Sequence, residues 1–175
     1  ALAAGSTSLL APLQWGCIET RKEEEEWYPF RVPETTPPNT PLLTCASASL
    51  DLGDGRMRRV LAFNGQFPGP TWEARQGDTV STKLHNGLGE ASITHWHGLV
   101  VDSKNDGGPR ISIGPNGDYD YAFPIVQRAS LNFYHPHPHL LTGKQVCLGL
   151  AGAFIIRDSE EEALHLPEAP YEVLL

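Results

Sequence analysis

Short segments of strand-forming residues, cut by turn residues every ten or so positions, predict an all-β fold, either a β-sandwich or a barrel. Composition agrees: 15 prolines and 17 glycines against a single methionine suit strands and turns better than a helical bundle. The chain has 175 residues and is 40% hydrophobic, which is enough for one buried core with extra length at an end.

The strand segments begin after Leu43 and can be followed in order. Ala46 to Leu52 alternates and stops at the turn Gly53-Asp54-Gly55. Arg59 to Phe63 ends at Asn64-Gly65, and Thr71 to Ala74 runs into Gln76-Gly77-Asp78. Thr79 to His85 alternates through Val80, Thr82 and Leu84 and stops at Asn86-Gly87. Ser92 to Val101 reads as a further strand, and Asn105 to Pro109 as a loop. Tyr119 to Ile125 alternates aromatic and polar residues; Ser130 to His135 is a strand that ends in prolines. Gly149 to Arg157 is continuously apolar, as expected when both faces are buried. That makes about eight strands. Only Gly143 to Leu148 and Ser159 to Ala163 read as short helical turns. No internal repeat is visible.

Residues 1–44 read as an irregular extension or linker, and 45–175 as the β domain. Within the extension, Arg21 to Glu26 is a solvated charge run. Pro33, Pro37, Pro38 and Pro41 then argue against regular structure. Ala1 to Pro12 reads equally as the tail of a secretion signal or as a disordered terminus.

Charge and hydropathy exclude some functions. A net charge of -8 argues against binding nucleic-acid phosphates. No apolar run reaches the roughly 18 residues of a membrane span. Three cysteines, Cys17, Cys45 and Cys147, are too few for a disulfide framework. A Cys17–Cys45 bridge is allowed but not required. Cys147 reads as a buried small apolar residue.

The chemistry lies in the histidines. Five of the seven fall in two groups, Thr94-His95-Trp96-His97-Gly98 and Tyr134-His135-Pro136-His137-Pro138-His139. On a strand, residues i and i+2 share a face, so His95 projects with His97 and His135 with His137. Two such pairs on neighbouring strands converge four imidazoles on one spot, a donor set suited to copper, zinc, iron or nickel. One His-X-His alone would carry little weight. Neither a Cys-X-X-Cys partner nor a His-Glu-X-X-His helix is present, so a zinc finger or zincin is not indicated. This argument leaves the metal's identity open.

At His95-Trp96-His97-Gly98 the sequence resembles the multicopper oxidases, which include the laccases. The resemblance extends over Phe63-Asn64-Gly65-Gln66-Phe67-Pro68-Gly69-Pro70-Thr71, Gln76-Gly77-Asp78-Thr79-Val80, Leu84-His85-Asn86, Asp106-Gly107, Phe133-Tyr134-His135-Pro136-His137 and Gly149 to Ile156. It implies that 45–175 is the family's first domain, a cupredoxin-like Greek-key β-sandwich. It further implies that His95 ligates a type 2 copper and that His97, His135 and His137 ligate a type 3 pair. Those ions form a trinuclear cluster, shared with the last domain, that reduces dioxygen to water. Asp106 matches an acidic residue that assists proton delivery there; as a plain turn residue before Gly-Gly-Pro it would have no such role. Trp96, facing away from the histidines, reads as packing. Gly98 reads as a place where a side chain would crowd the ligands, or simply as a strand end.

The chain also departs from the family's pattern. Phe133 stands where the family often has Trp, and Pro136 where a nitrite-reductase-like domain has Cys. His139 is additional and reads as a surface or outer residue. His85 and His165 read as structural or exposed. No His-Cys-His occurs, so the type 1 copper that accepts electrons from a small reducing substrate (a phenol, aromatic amine or metal ion) must come from C-terminal domains. In the family, an apolar strand like Tyr171 to Leu175 leads into the second domain, and the family implies a secreted or periplasmic setting. Two alternatives are a copper-binding cupredoxin module without turnover and a structural β-sandwich with vestigial histidines.

Overall fold

A computed structural model describes residues 32–167 together with Glu172 and Leu174. Cys17, the Arg21 to Glu26 run, Ala1 to Pro12 and most of the Tyr171 to Leu175 segment therefore lie outside the described residues. Among the described residues nine strands form: β1 (Thr35–Thr36), β2 (Leu42–Asp51), β3 (Met57–Phe63), β4 (Gly69–Arg75), β5 (Thr79–Asn86), β6 (Thr94–His97), β7 (Asp118–Pro124), β8 (Ser130–Pro136) and β9 (Gly152–Arg157). They make a five-stranded sheet ordered β1-β4-β9-β8-β6 and a four-stranded sheet ordered β3-β2-β5-β7. Among the described residues, helices are confined to one 3-10 turn (Pro109–Ile111), α1 (Thr142–Cys147) and α2 (Ser159–Glu162).

The alternation that marks the strands also builds the core. Along β5 and β7, Val80, Thr82, Leu84, Tyr121 and Phe123 turn inward while their neighbours stay in solvent. The facing sheet contributes Trp72, Phe154, Trp96 and Tyr134, all fully buried. Trp96 stands at the centre, edge-on to Trp72 at 5.5 Å and to Tyr121 at 5.3 Å. Edge-to-face contacts add about 0.5–1.5 kcal/mol per pair to the burial of these rings. Trp96 is thus a packing residue, as its position opposite the histidines requires.

Several expectations need correction. The proline-rich stretch was expected to hold no regular structure, yet Thr35–Thr36 pairs in parallel with β4. The Pro38 and Pro41 carbonyls accept from the Ser81 and Lys83 amides, because a proline lacks a donor but keeps its acceptor. The segment expected as a strand from Ser92 to Val101 is a strand only at Thr94–His97. Gly98 turns the chain with φ +88, and Ser92 bridges instead to Ile113. The last strand starts at Gly152 rather than Gly149, and only alternate residues are fully buried, so one of its faces stays half-open. Cys147 is exposed, because α1 lies on the surface and buries only Gln145. Cys45 is a free, buried thiol.

Candidate metal centre

β6 and β8 pair antiparallel, with His95 opposite His135, Trp96 opposite Tyr134 and His97 opposite Phe133. The period-2 alternation sends Trp96 and Tyr134 into the core and the histidines to the other face. One ring nitrogen from each of His95, His97 and His135 lies within 4.8 Å of the other two. His137 follows just beyond the ladder, its amide bonded to the Ile93 carbonyl at 3.0 Å. Its ring centroid is 5.3 Å from that of His95 and 5.9 Å from that of His135. All four imidazoles are therefore neighbours, and three already hold their nitrogens close enough to share an ion.

Hydrogen bonds fix which nitrogens are available. His95 Nδ1 lies 2.6 Å from the Asp106 main-chain oxygen, which can only accept, so Nδ1 carries the proton and the Nε2 lone pair is free. By the same logic His135 Nδ1 donates to the Pro136 oxygen at 2.9 Å and frees its Nε2, which sits 3.3 Å from His97 Nδ1. Burial lowers the His135 pKa, and the neighbouring histidines lower it further, which favours the neutral, ligating imidazole. His137 Nδ1 is buried without a hydrogen-bond partner. An unmatched buried nitrogen costs about 1–3 kcal/mol. An all-imidazole donor set with one nitrogen left unmatched fits a copper site.

Asp106 is held by a loop that runs against β6. Asp102 accepts from the Asn105 amide and side chain, and buried Asn105 in turn accepts from the Ala122 amide at 2.9 Å. Gly107 makes the approach feasible. It adopts φ +72, and a Cβ there would fall 1.8 Å from the Thr94 carbonyl oxygen. The Asp106 carboxylate reaches 3.4 Å from His95 Nδ1 and is partly open to solvent. Asp106 thus touches His95 with its backbone and keeps its carboxylate half in water.

The remaining positions singled out in the sequence can be placed in turn. At Gly98 a side chain would meet Asn132 Oδ1 at 2.5 Å rather than a histidine. His85 has a partner: its Nδ1 lies 2.7 Å from the Asp118 carboxylate. His139 and His165 are exposed. Phe133 stacks on the His97 ring at 4.2 Å, a contact that alternation along β8 could have foretold. The Tyr121 hydroxyl, which donates to the Thr94 carbonyl at 2.6 Å from the opposite sheet, carried no signal in the sequence.

A two-sheet sandwich with imidazoles gathered on one strand pair defines a cupredoxin-like metal-binding domain. The family model described as multicopper oxidase matches residues 45–161. A multicopper oxidase of Staphylococcus aureus is 42% identical over 107 residues, covering 61% of this chain and 24% of that protein. Copper resistance protein A of Pseudomonas syringae pv. tomato is 33% identical over 145 residues, covering 76% of this chain and 23% of that protein. The crystal structure of a multi-copper oxidase from Pediococcus acidilactici superposes with a TM-score of 0.76 at 32% identity, covering 82% of this chain and 32% of the other. The chain belongs to the multicopper oxidases, a copper-binding family of oxidoreductases. It spans about a quarter of the length of the curated relatives it matches.

Proposed function

We propose that this chain is the N-terminal part of a laccase-like multicopper oxidase and supplies half of its trinuclear copper cluster. The observation that carries the reading is the cross-strand pairing of His95 with His135, each with a second histidine two residues on along the same face. His95 would hold the type 2 copper, and His97, His135 and His137 the type 3 pair. When bound, copper supplies the redox chemistry that reduces dioxygen to water. The chain's own residues do the rest. Asp106 orients His95 through its carbonyl and delivers protons through its carboxylate. The Trp96 and Tyr134 packing keeps the two histidine strands in register.

Four histidines leave the cluster short of ligands, so the active unit includes C-terminal domains that bring the remaining ligands and the type 1 copper. Phenols, aromatic amines or metal ions are the small reducing substrates proposed, and a secreted or periplasmic setting is the one that fits the family. Intact mass, native and denatured, together with copper content tests this. The oxidase reading expects a larger assembly with a full copper complement and dioxygen uptake that is lost in His95→Ala and His135→Ala. Copper held by the chain alone, without uptake in any assembly, would leave a copper-binding module; no copper at all would leave a structural domain.

A further inference from the structure

The helix α1 inverts the usual pattern. It exposes Val146 and Cys147 and buries a glutamine completely. Gln145 accepts from the Ser92 hydroxyl at 3.0 Å and donates to the Ala91 carbonyl at 2.9 Å and the Glu90 carboxylate at 3.1 Å. Lys144 pairs with the same carboxylate. A fully buried glutamine with its side-chain bonds satisfied is unusual on a surface helix, because an apolar residue would pack there with no bonding requirement.

The two ends that this network joins matter. Glu90, Ala91 and Ser92 lead directly into β6 and its histidines. α1 follows directly from the second histidine group: the Pro138 carbonyl accepts from the Thr142 hydroxyl and from the Leu141 and Thr142 amides. The β6–β8 ladder ends at Thr94 opposite Pro136, so His137 has no strand pairing of its own. Among the described residues its only main-chain tie is the bond from its amide to the Ile93 carbonyl, in the residue after Ser92.

The geometry points to Gln145 as a positioning residue for His137. By clamping α1 to the Ala91–Ser92 segment it closes the gap beyond the ladder and holds the His137 ring beside those of His95 and His135. This inference rests on the copper reading above for its consequence, but not for its geometry. The side chains that build the clamp are Gln145, Ser92 and Glu90, and their hydrogen bonds run to one another and to Ala91 rather than to a histidine.

Two measurements on the full 175-residue chain test the clamp. The first is amide hydrogen exchange of the metal-free chain. Gln145→Met keeps the volume and removes the bonds. Protection of the His137 amide should fall by roughly tenfold or more, while that of Ile125, bonded to Asp78 at the far end of the sandwich, is retained. The second is cupric-ion affinity, which should weaken by about 10–100-fold, the range for losing an outer support of a metal ligand. Ile156→Ala, a core cavity on β9, serves as the control for general destabilisation and should leave affinity within about threefold. Unchanged His137 exchange in Gln145→Met, or an affinity loss equal to that of the control, overturns the proposal. If Gln145→Met does not fold, Ser92→Ala removes one bond of the clamp and is read the same way, with a smaller loss of His137 protection expected and no loss overturning it. If the unaltered chain binds no copper, the copper reading fails and His137 exchange still decides the clamp.

Discussion

At the scale of single residues, backbone conformation and access decide the outcome. Gly107 combines a left-handed φ of +72 with contact against the Thr94 carbonyl, so no side chain fits. Gly107→Ala should cost about 3–5 kcal/mol, since the loop must leave β6 and take the Asp106–His95 bond with it. Urea denaturation checks the cost. The two described cysteines should behave oppositely. Cys147 is exposed and should react quickly with a thiol reagent, whereas Cys45 is buried and should react only on unfolding. Burial pushes the Cys45 pKa up from 9.0 to about 11. Its folded value is raised, so the stability it contributes is present below pH 9 and is lost as pH climbs toward 11. Over that window it should steepen the alkaline loss of stability by up to about 1.4 kcal/mol per pH unit. Denaturation curves of the unaltered chain and of Cys45→Ala, measured from pH 8 to 10.5, should diverge accordingly.

At the scale of elements, the histidine strands depend on the opposite sheet. Tyr121 on β7 donates its hydroxyl to the Thr94 carbonyl and accepts from the Thr94 amide at 3.2 Å. Tyr121→Phe leaves both groups buried without a partner and should cost about 1–3 kcal/mol by denaturation, with weaker copper binding alongside. Elements of this kind differ in how readable they were. β5, β7 and β8 alternate cleanly between turn residues, and their positions and the shared face of His95, His97 and His135 followed from period two. β1 was not legible, because prolines signal irregularity locally while their carbonyls remain free to accept from a neighbouring strand. β6 is shorter than its apolar run, because Gly98 turns the chain where hydropathy continues. Cys147 misled because cysteine is usually buried, and α1 happens to face its glutamine inward. Contacts made across the sandwich, such as Tyr121 to Thr94 or Gln145 to Ser92, join residues 27 and 53 positions apart and leave no periodic trace.

At the scale of the whole molecule, metal and folding should be linked. An ion that binds the folded chain alone stabilises it by mass action, about 2.7 kcal/mol at a hundredfold excess over its dissociation constant. Copper should therefore raise the melting temperature of the chain, a chelator should reverse the rise, and His135→Ala should largely abolish it. Calorimetry with and without copper reads this directly. The sheet order has a separate consequence for handling the chain on its own. The outermost strands among the described residues are β1 and β6 in one sheet and β3 and β7 in the other. Open strand borders invite edge-to-edge aggregation. Here β1 is two residues long and β6 four. β3 carries Arg58 and Arg59 on its border, and β7 carries Asp118 and Asp120 and closes with Pro124. Each border is short or charged, which disfavours templating by another chain, so the purified chain should resist fibril growth.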